Sequence, residues 1–233
     1  MNLKETAARR ALDYVRSGMT LGLGSGSTFG YFLDLLADQL RAGTLRDIVG
    51  VPTSERTAAR ARGAGIPLTT LAECPRLDLA VDGADEVSPD LGLIKGLGGA
   101  LLREKVVAVH AACFLVVVDE SKLVMRLGSR VPLTVEIAQF GAEAHVRWLS
   151  GLGCRAERRC EPDGSPVLTD NGNYLATCRF PDGIADPHNL ARVLADRPGI
   201  LEHGLFLDMA PTVIVAGPAG VRILEQQAKQ GGF

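Results

Sequence analysis

Apolar residues recur at helical spacing through Leu3, Ala7, Ala11, Leu12 and Val15, and Gly18 follows as a C-terminal stop. Thr20-Leu21-Gly22-Leu23 then reads as a short strand opening into a glycine loop. From Ser27, the positions Phe29, Phe32, Leu33, Leu36 and Leu40 mark a second amphipathic helix that ends near Gly43. Ile48 to Val51 is the next predicted strand, Ser54 to Ala64 the next helix, and Asp78 to Val81 a third strand. A helix is predicted over Leu101 to Ala111 with Leu102, Val106 and Val109 as its core face. Cys113 to Val118 is apolar throughout, with Cys113 expected as a buried small hydrophobe. Such a run is the pattern of a strand covered on both faces, as in a mostly parallel sheet flanked by helices.

After about Gly128 the rhythm changes. Val131 to Ile137 reads as a strand, Phe140 to Leu152 as a helix, and Cys154 to Cys160 and Asn173 to Phe180 as two further strands. The segment Glu161-Pro162-Asp163-Gly164-Ser165-Pro166 supplies turn residues between them. Asp186 before Pro187 opens a helix to Ala195, as a cap and first helical residue do. This strand-helix-strand-strand-helix order predicts a small α+β unit of ferredoxin-like character. Leu205-Phe206-Leu207 and Thr212 to Val215 read as strand, followed by a helix to Gln230. The expected fold class is therefore α/β: a Rossmann-like, mostly parallel sheet flanked by helices, with a smaller inserted α+β domain. Residues 1–129 and 206–233 are assigned to the larger domain and 130–205 to the smaller.

Composition narrows the function classes. Lys plus Arg is 25 and Asp plus Glu is 27, a net charge of -2, without the basic excess of a protein that grips phosphate backbones. No nucleic-acid partner is expected. The run Ala111 to Val118 is far shorter than the roughly 20 residues of a membrane span, and the charged start Met1-Asn2-Leu3-Lys4-Glu5 is unlike a signal peptide. Five cysteines (Cys74, Cys113, Cys154, Cys160, Cys178) without a Cys-x-x-Cys pair suit a reduced cytoplasmic location. Four histidines (His110, His145, His188, His203) lack metal-ligand spacing, so a zinc or iron site built from local ligands is not expected.

Chemistry concentrates in the loops that follow strands. Gly22-Leu23-Gly24-Ser25-Gly26-Ser27-Thr28 joins a strand to a helix N-terminus, a combination suited to a phosphate or a sugar hydroxyl. It matches neither the dinucleotide fingerprint nor the P-loop; a plain tight turn is the alternative. Asp82-Gly83-Ala84-Asp85-Glu86 follows a strand, where ligand sites of open α/β sheets form. Its carboxylates also suit a capped solvated loop or a magnesium ion. Lys95-Gly96-Leu97-Gly98-Gly99-Ala100 exposes one ammonium among glycines, and Glu104 lies just beyond. A helix glutamate is ordinarily a solvated surface residue, but next to that turn it is a candidate base. Lys122 follows the apolar strand and so falls at the same rim.

These motifs, together with Val51-Pro52-Thr53-Ser54, Arg103-Glu104-Lys105, Asp119-Glu120-Ser121-Lys122, Thr169-Asp170-Asn171-Gly172-Asn173 and Glu202-His203-Gly204-Leu205-Phe206, make a set that resembles the type A ribose-5-phosphate isomerase family over nearly the whole chain. The resemblance implies interconversion of D-ribose 5-phosphate and D-ribulose 5-phosphate through an enediolate, without metal or cofactor, in a homodimer or homotetramer. It implies Glu104 as base, Lys95 as electrostatic partner, and Asp82 and Asp85 as holders of sugar hydroxyls that assist ring opening. Ser25, Gly26, Ser27, Thr28, Gly83, Ala84, Gly96, Leu97, Gly98 and Lys122 join them as expected substrate-binding residues. Three positions depart from the family pattern: Ser25 for a common threonine, Leu97 for a common glycine, and Thr177 for a common aspartate. The competing readings are a non-catalytic sugar-phosphate sensor and another sugar-phosphate enzyme such as a lactonase or amino-sugar deaminase. The sensor would normally bring a DNA-reading element, and the latter enzymes usually use a catalytic histidine.

Overall fold

A computed structural model describes residues 2–226. The first half alternates helix and strand: α1 (Leu3–Ala11), β1 (Thr20–Leu23), α2 (Gly26–Arg41), β2 (Val49–Pro52), α3 (Glu55–Gly63) and β3 (Leu77–Asp82). Two short strands, β4 (Glu86–Val87) and β5 (Leu93–Ile94), precede α4 (Leu101–Val109) and β6 (Ala111–Asp119). The second half comprises β7 (Leu133–Ile137), α5 (Ala142–Ser150), β8 (Arg155–Arg158), β9 (Tyr174–Arg179), α6 (Pro187–Ala195), β10 (Ile200–His203), β11 (Leu205–Phe206), β12 (Thr212–Gly217) and β13 (Gly220–Leu224). The main sheet runs β13-β12-β6-β3-β1-β2, parallel except for the β12–β13 hairpin.

The continuous apolar run in β6 behaves as a strand covered on both faces. Leu115 and Val117 enter the core built with Ala7, Ala11, Phe29 and Phe32 of α1 and α2. Phe114, Val116 and Val118 point the other way, into a cluster with Val107 and Ala108 of α4. Cys113, at the start of that run, is only half-buried, because the sheet there reaches its open end.

The second sheet has the order β10-β7-β9-β8 and is antiparallel throughout. With α5 and α6 it completes a strand-helix-strand-strand-helix-strand unit, the ferredoxin-like arrangement. Its last strand, β10, went unpredicted: Ile200-Leu201-Glu202-His203 alternates too briefly to stand out from the turn at Gly199. Asp186 caps α6 through a 2.9 Å bond from the Asn189 N–H, with Pro187 at the first helical position, as expected. A three-stranded ribbon, β11-β5-β4, links the two larger sheets.

Two further expectations are corrected. The helix expected up to Gln230 is instead the strand β13, antiparallel to β12 from Val213↔Leu224 to Gly217↔Gly220. Gly217-Pro218-Ala219-Gly220 makes the turn, with Gly220 at φ 116°. The part of that expectation at residues 227–230 lies outside the described residues. On α4 the buried face is Leu101, Glu104, Val107 and Ala108, while Val106 and Val109 are exposed. Six of its nine residues are apolar, so periodicity admits both phases. The observed one buries a carboxylate that finds partners inside.

Candidate active site

The carboxyl ends of β1, β3 and β6 lie side by side, and the loops leaving them meet in one pocket of about 100 Å³. Its lining is Ser25, Gly26, Ser27, Thr28, Asp82, Gly83, Ala84, Asp85, Lys95, Gly96, Gly98, Glu104 and Lys122. Every expected site residue is therefore brought together except Leu97. Its half-buried side chain is not part of the lining, and its backbone is not at positive φ.

Local sequence explains the convergence. Gly24 follows β1 where the chain passes so close to β3 that a Cβ would fall 2.4 Å from the Asp82 carboxyl carbon. That contact lets Asp82 Oδ1 accept the N–H groups of Ser25 (2.9 Å) and Gly83 (2.7 Å). Ser25 occupies the N-cap of α2, where serine normally bonds the helix's own N–H groups. Here its hydroxyl donates to Glu104 Oε1 instead, and α2 has no side-chain cap and no acid in its first turn. The open N–H groups and positive dipole end of α2 therefore face the pocket, an arrangement that favours an anion.

The buried charges sit around one ammonium. Lys95 Nζ lies 2.9 Å from Asp82 Oδ2 and 3.3 Å from Glu104 Oε2, and donates to the Gly83 carbonyl at 2.6 Å. Lys95, Asp82 and Glu104 are each 5% exposed or less. Asp85 Oδ2 accepts the Leu97 N–H at 3.1 Å. Glu104 Oε2 takes no hydrogen bond from any described residue. Burial, reinforced by the neighbouring Glu104 charge and only partly offset by Lys95, pushes the Asp82 carboxyl up to about 7. Burial likewise raises Asp85. Burial alone would lower the Lys95 ammonium, but Asp82, Glu104 and Asp85 together outweigh it and hold Lys95 above its ordinary value. Among the described residues no group of three or more His, Cys, Asp or Glu side chains is arranged to hold a metal ion.

Sequence reasoning passed over one residue at this rim. Lys4, in the first turn of α1, donates to Ser27 Oγ at 2.9 Å. A lysine there opposes the helix dipole, which is the signal that could have singled it out. Conversely, Glu86 belongs to the same acidic run as Asp82 and Asp85 but turns away from the pocket: Gly128 N, Arg130 N and Val131 N saturate its carboxylate at 2.5, 2.6 and 2.9 Å.

Buried carboxylates with Asp82 raised toward neutrality, a fixed ammonium and an anion-favouring helix start make a small pocket equipped for acid–base chemistry on an anion. Comparison with known proteins narrows this class. Residues 49–220 match the family model described as ribose 5-phosphate isomerase A (phosphoriboisomerase A). A curated relative from Roseiflexus castenholzii, named ribose-5-phosphate isomerase A, is 54% identical over 95% of this chain and 94% of its own length. One from Gloeobacter violaceus with the same name is 50% identical over 97% of each. A solved D-ribose-5-phosphate isomerase in complex with phospho-erythronic acid superposes with a TM-score of 0.93 at 42% identity, covering 97% of this chain and all of that one. The ribose 5-phosphate isomerase A of Methanocaldococcus jannaschii superposes at 0.91 with 38% identity, covering 97% of this chain and 99% of that one. The chain belongs to the ribose 5-phosphate isomerase A family and is an isomerase.

Proposed function

We propose that the protein interconverts D-ribose 5-phosphate and D-ribulose 5-phosphate through a cis-enediolate, with Glu104 as the single base, in the non-oxidative branch of the pentose phosphate pathway. The observation that carries this reading is the setting of Glu104: a buried helix carboxylate, oriented at Oε1 by Ser25, whose Oε2 takes no hydrogen bond from the described residues and lies 3.3 Å from an ammonium. Moving a carbonyl between C1 and C2 requires a proton to leave one carbon and return to the next on the same face of the sugar. One carboxylate oxygen within reach of both carbons does this. The oxyanion that develops as the proton leaves is stabilised by Lys95.

The sugar is stored as a ring, and only the open chain reacts. Asp82, with its carboxyl near 7, can exchange a proton with the ring hydroxyl at neutral pH, while Asp85 orients a neighbouring hydroxyl. The phosphate takes the start of α2, with the Ser27 and Thr28 hydroxyls, and the two rim cations Lys4 and Lys122 balance its charge. The phospho-erythronic acid in the related structure is a phosphorylated hydroxy acid, in keeping with a site for such anions. The five cysteines are free among the described residues, which suits a reducing compartment such as the cytoplasm. A homodimer or homotetramer, implied by the family resemblance, is checked by light scattering.

The test is direct. Purified protein is incubated with ribose 5-phosphate in excess chelator and ketose formation is followed. Turnover is expected in the parent and not in Glu104→Gln. Binding without turnover in the parent would instead support the sugar-phosphate sensor.

A further inference from the structure

Lys105, the residue after the proposed base, does not line the pocket and nevertheless is mostly buried. Its Nζ donates to Glu202 Oε1 at 2.5 Å and to the His203 carbonyl at 2.7 Å, and lies 3.4 Å from His203 Nδ1. Glu202 Oε1 also accepts the His203 N–H at 2.8 Å. The same ammonium sits 4.9 Å from the centre of the Phe206 ring, and on that ring a second ammonium converges: Lys95 Nζ, 5.4 Å from its centre. Both distances are within the roughly 6 Å reach of a cation–π contact. Phe206 is 1% exposed and its strand β11 pairs with β5, which runs directly into Lys95. The Lys95 N–H in turn donates to the Gly204 carbonyl at 2.9 Å.

Glu202 and His203 end β10, in the antiparallel sheet, whereas Glu104 and Lys95 belong to the pocket at the edge of the parallel one. The segment Glu202 to Phe206 thus touches both halves of the proposed acid–base pair, holding the base helix through Lys105 and the ammonium strand through Phe206 and Gly204. We propose that Phe206 and Lys105 are positioning residues that set the separation between Lys95 and Glu104. Neither touches the sugar. The ring supports the Lys95 ammonium beside its two carboxylates, and the Lys105 anchor fixes the rotation of α4 that presents Glu104. This rests on Glu104 and Lys95 acting as proposed above.

The consequence is a change in turnover separate from binding. Phe206→Leu keeps an apolar side chain while removing the ring's negative face. Its kcat is expected to fall about 5- to 20-fold with KM within twofold, measured per folded molecule after correction by circular dichroism. Lys105→Met should lower kcat similarly, and Lys105→Arg, which keeps both the ion pair and the cation–π contact, should restore most of it. If Lys105→Met misfolds by leaving the part-buried Glu202 carboxylate without its countercharge, Lys105→Met/Glu202→Gln removes both charges and carries the same expectation. A merely structural role would lower the melting temperature and leave kcat per folded molecule unchanged, and that result overturns the proposal. Glu104→Gln, run alongside, separates the two readings. If it stays active, the glutamate base is wrong; if it is inactive while Phe206→Leu and the Lys105 variants keep parental kcat, only the positioning role is wrong.

Discussion

Glu86 and Glu104 are both glutamates buried at the rim of the parallel sheet, and they are satisfied in opposite ways. Glu86 is 0% exposed and receives three backbone N–H groups from the segment 128–131, where the chain leaves one sheet for the other. Both of its oxygens are used. Glu104 receives one serine hydroxyl on Oε1 and faces Lys95 with an Oε2 that accepts no hydrogen bond from the described residues. Burial alone therefore does not distinguish a fold staple from a reactive group. What distinguishes them is whether the carboxylate's capacity is already spent on the protein. A saturated carboxylate is inert, and an unsaturated one beside a pocket is available for a proton.

The sharpest way to break this comparison is to make the same isosteric change at both sites. Glu104→Gln keeps shape but cannot take a proton, and turnover is expected to fall by about 10²–10⁴-fold with ligand binding and melting temperature close to the parent. Glu86→Gln should do the reverse. Its amide nitrogen would face a backbone N–H that has lost its acceptor, at about 1–3 kcal/mol, or a drop of about 2–10 °C in melting temperature for a chain of this size. Activity per folded molecule should stay within about threefold. Swapped outcomes, with Glu86→Gln inactive but stable, would mean that saturation is the wrong criterion.

A smaller effect separates Asp82 from both. Its carboxyl is pushed up to about 7 in the folded protein, mainly by burial, against an ordinary value of 3.8. The folded state therefore holds a proton that the unfolded chain has lost, and the stability this contributes is full below about pH 4 and disappears as pH rises through 7. The slope is at most about 1.4 kcal/mol per pH unit. Asp82→Asn lacks this linkage, so the melting temperature of the parent minus that of the variant should decrease between pH 5 and pH 8. A flat difference over that range would show Asp82 ionised throughout.

Much of this arrangement was legible in the chain. Strand ends followed by glycine and chemistry-bearing residues placed Ser25 to Thr28, Asp82, Asp85 and Lys122 at one rim, because a parallel sheet aligns its carboxyl ends whatever the loop details; Lys95 arrives there from β5 of the antiparallel ribbon. What stayed hidden depends on partners distant in sequence. The rotation of α4 that buries Glu104 is held by partners outside the helix, Ser25 and Lys95 on Glu104 and Glu202 on Lys105, and the apolar periodicity of Leu101 to Val109 does not report it. The split between Glu86 and its acidic neighbours is decided by three N–H groups more than 40 residues downstream. Strand β13 does not stand out from a helix in the sequence, because Val221, Arg222 and Ile223 alternate for too few residues to fix a period.

The mildest expected effect lies at Leu97, where the resemblance leads to the expectation of a glycine. Leucine would be strained there if the position required positive φ, but the loop places that requirement on its neighbours, Gly96 at 96° and Gly99 at 87°. Leu97 contributes through its backbone, its N–H bonding Asp85 Oδ2 at 3.1 Å and its carbonyl accepting Arg159 Nη1 at 2.6 Å. Both bonds survive removal of the side chain. Leu97→Gly should therefore leave KM for ribose 5-phosphate within about twofold, while greater freedom of the unfolded chain lowers stability by roughly 1 kcal/mol. Steady-state kinetics and a melting curve on one preparation decide it. A tenfold improvement in KM would mean that the leucine side chain obstructs the sugar, and the pocket would then have to include Leu97 after all.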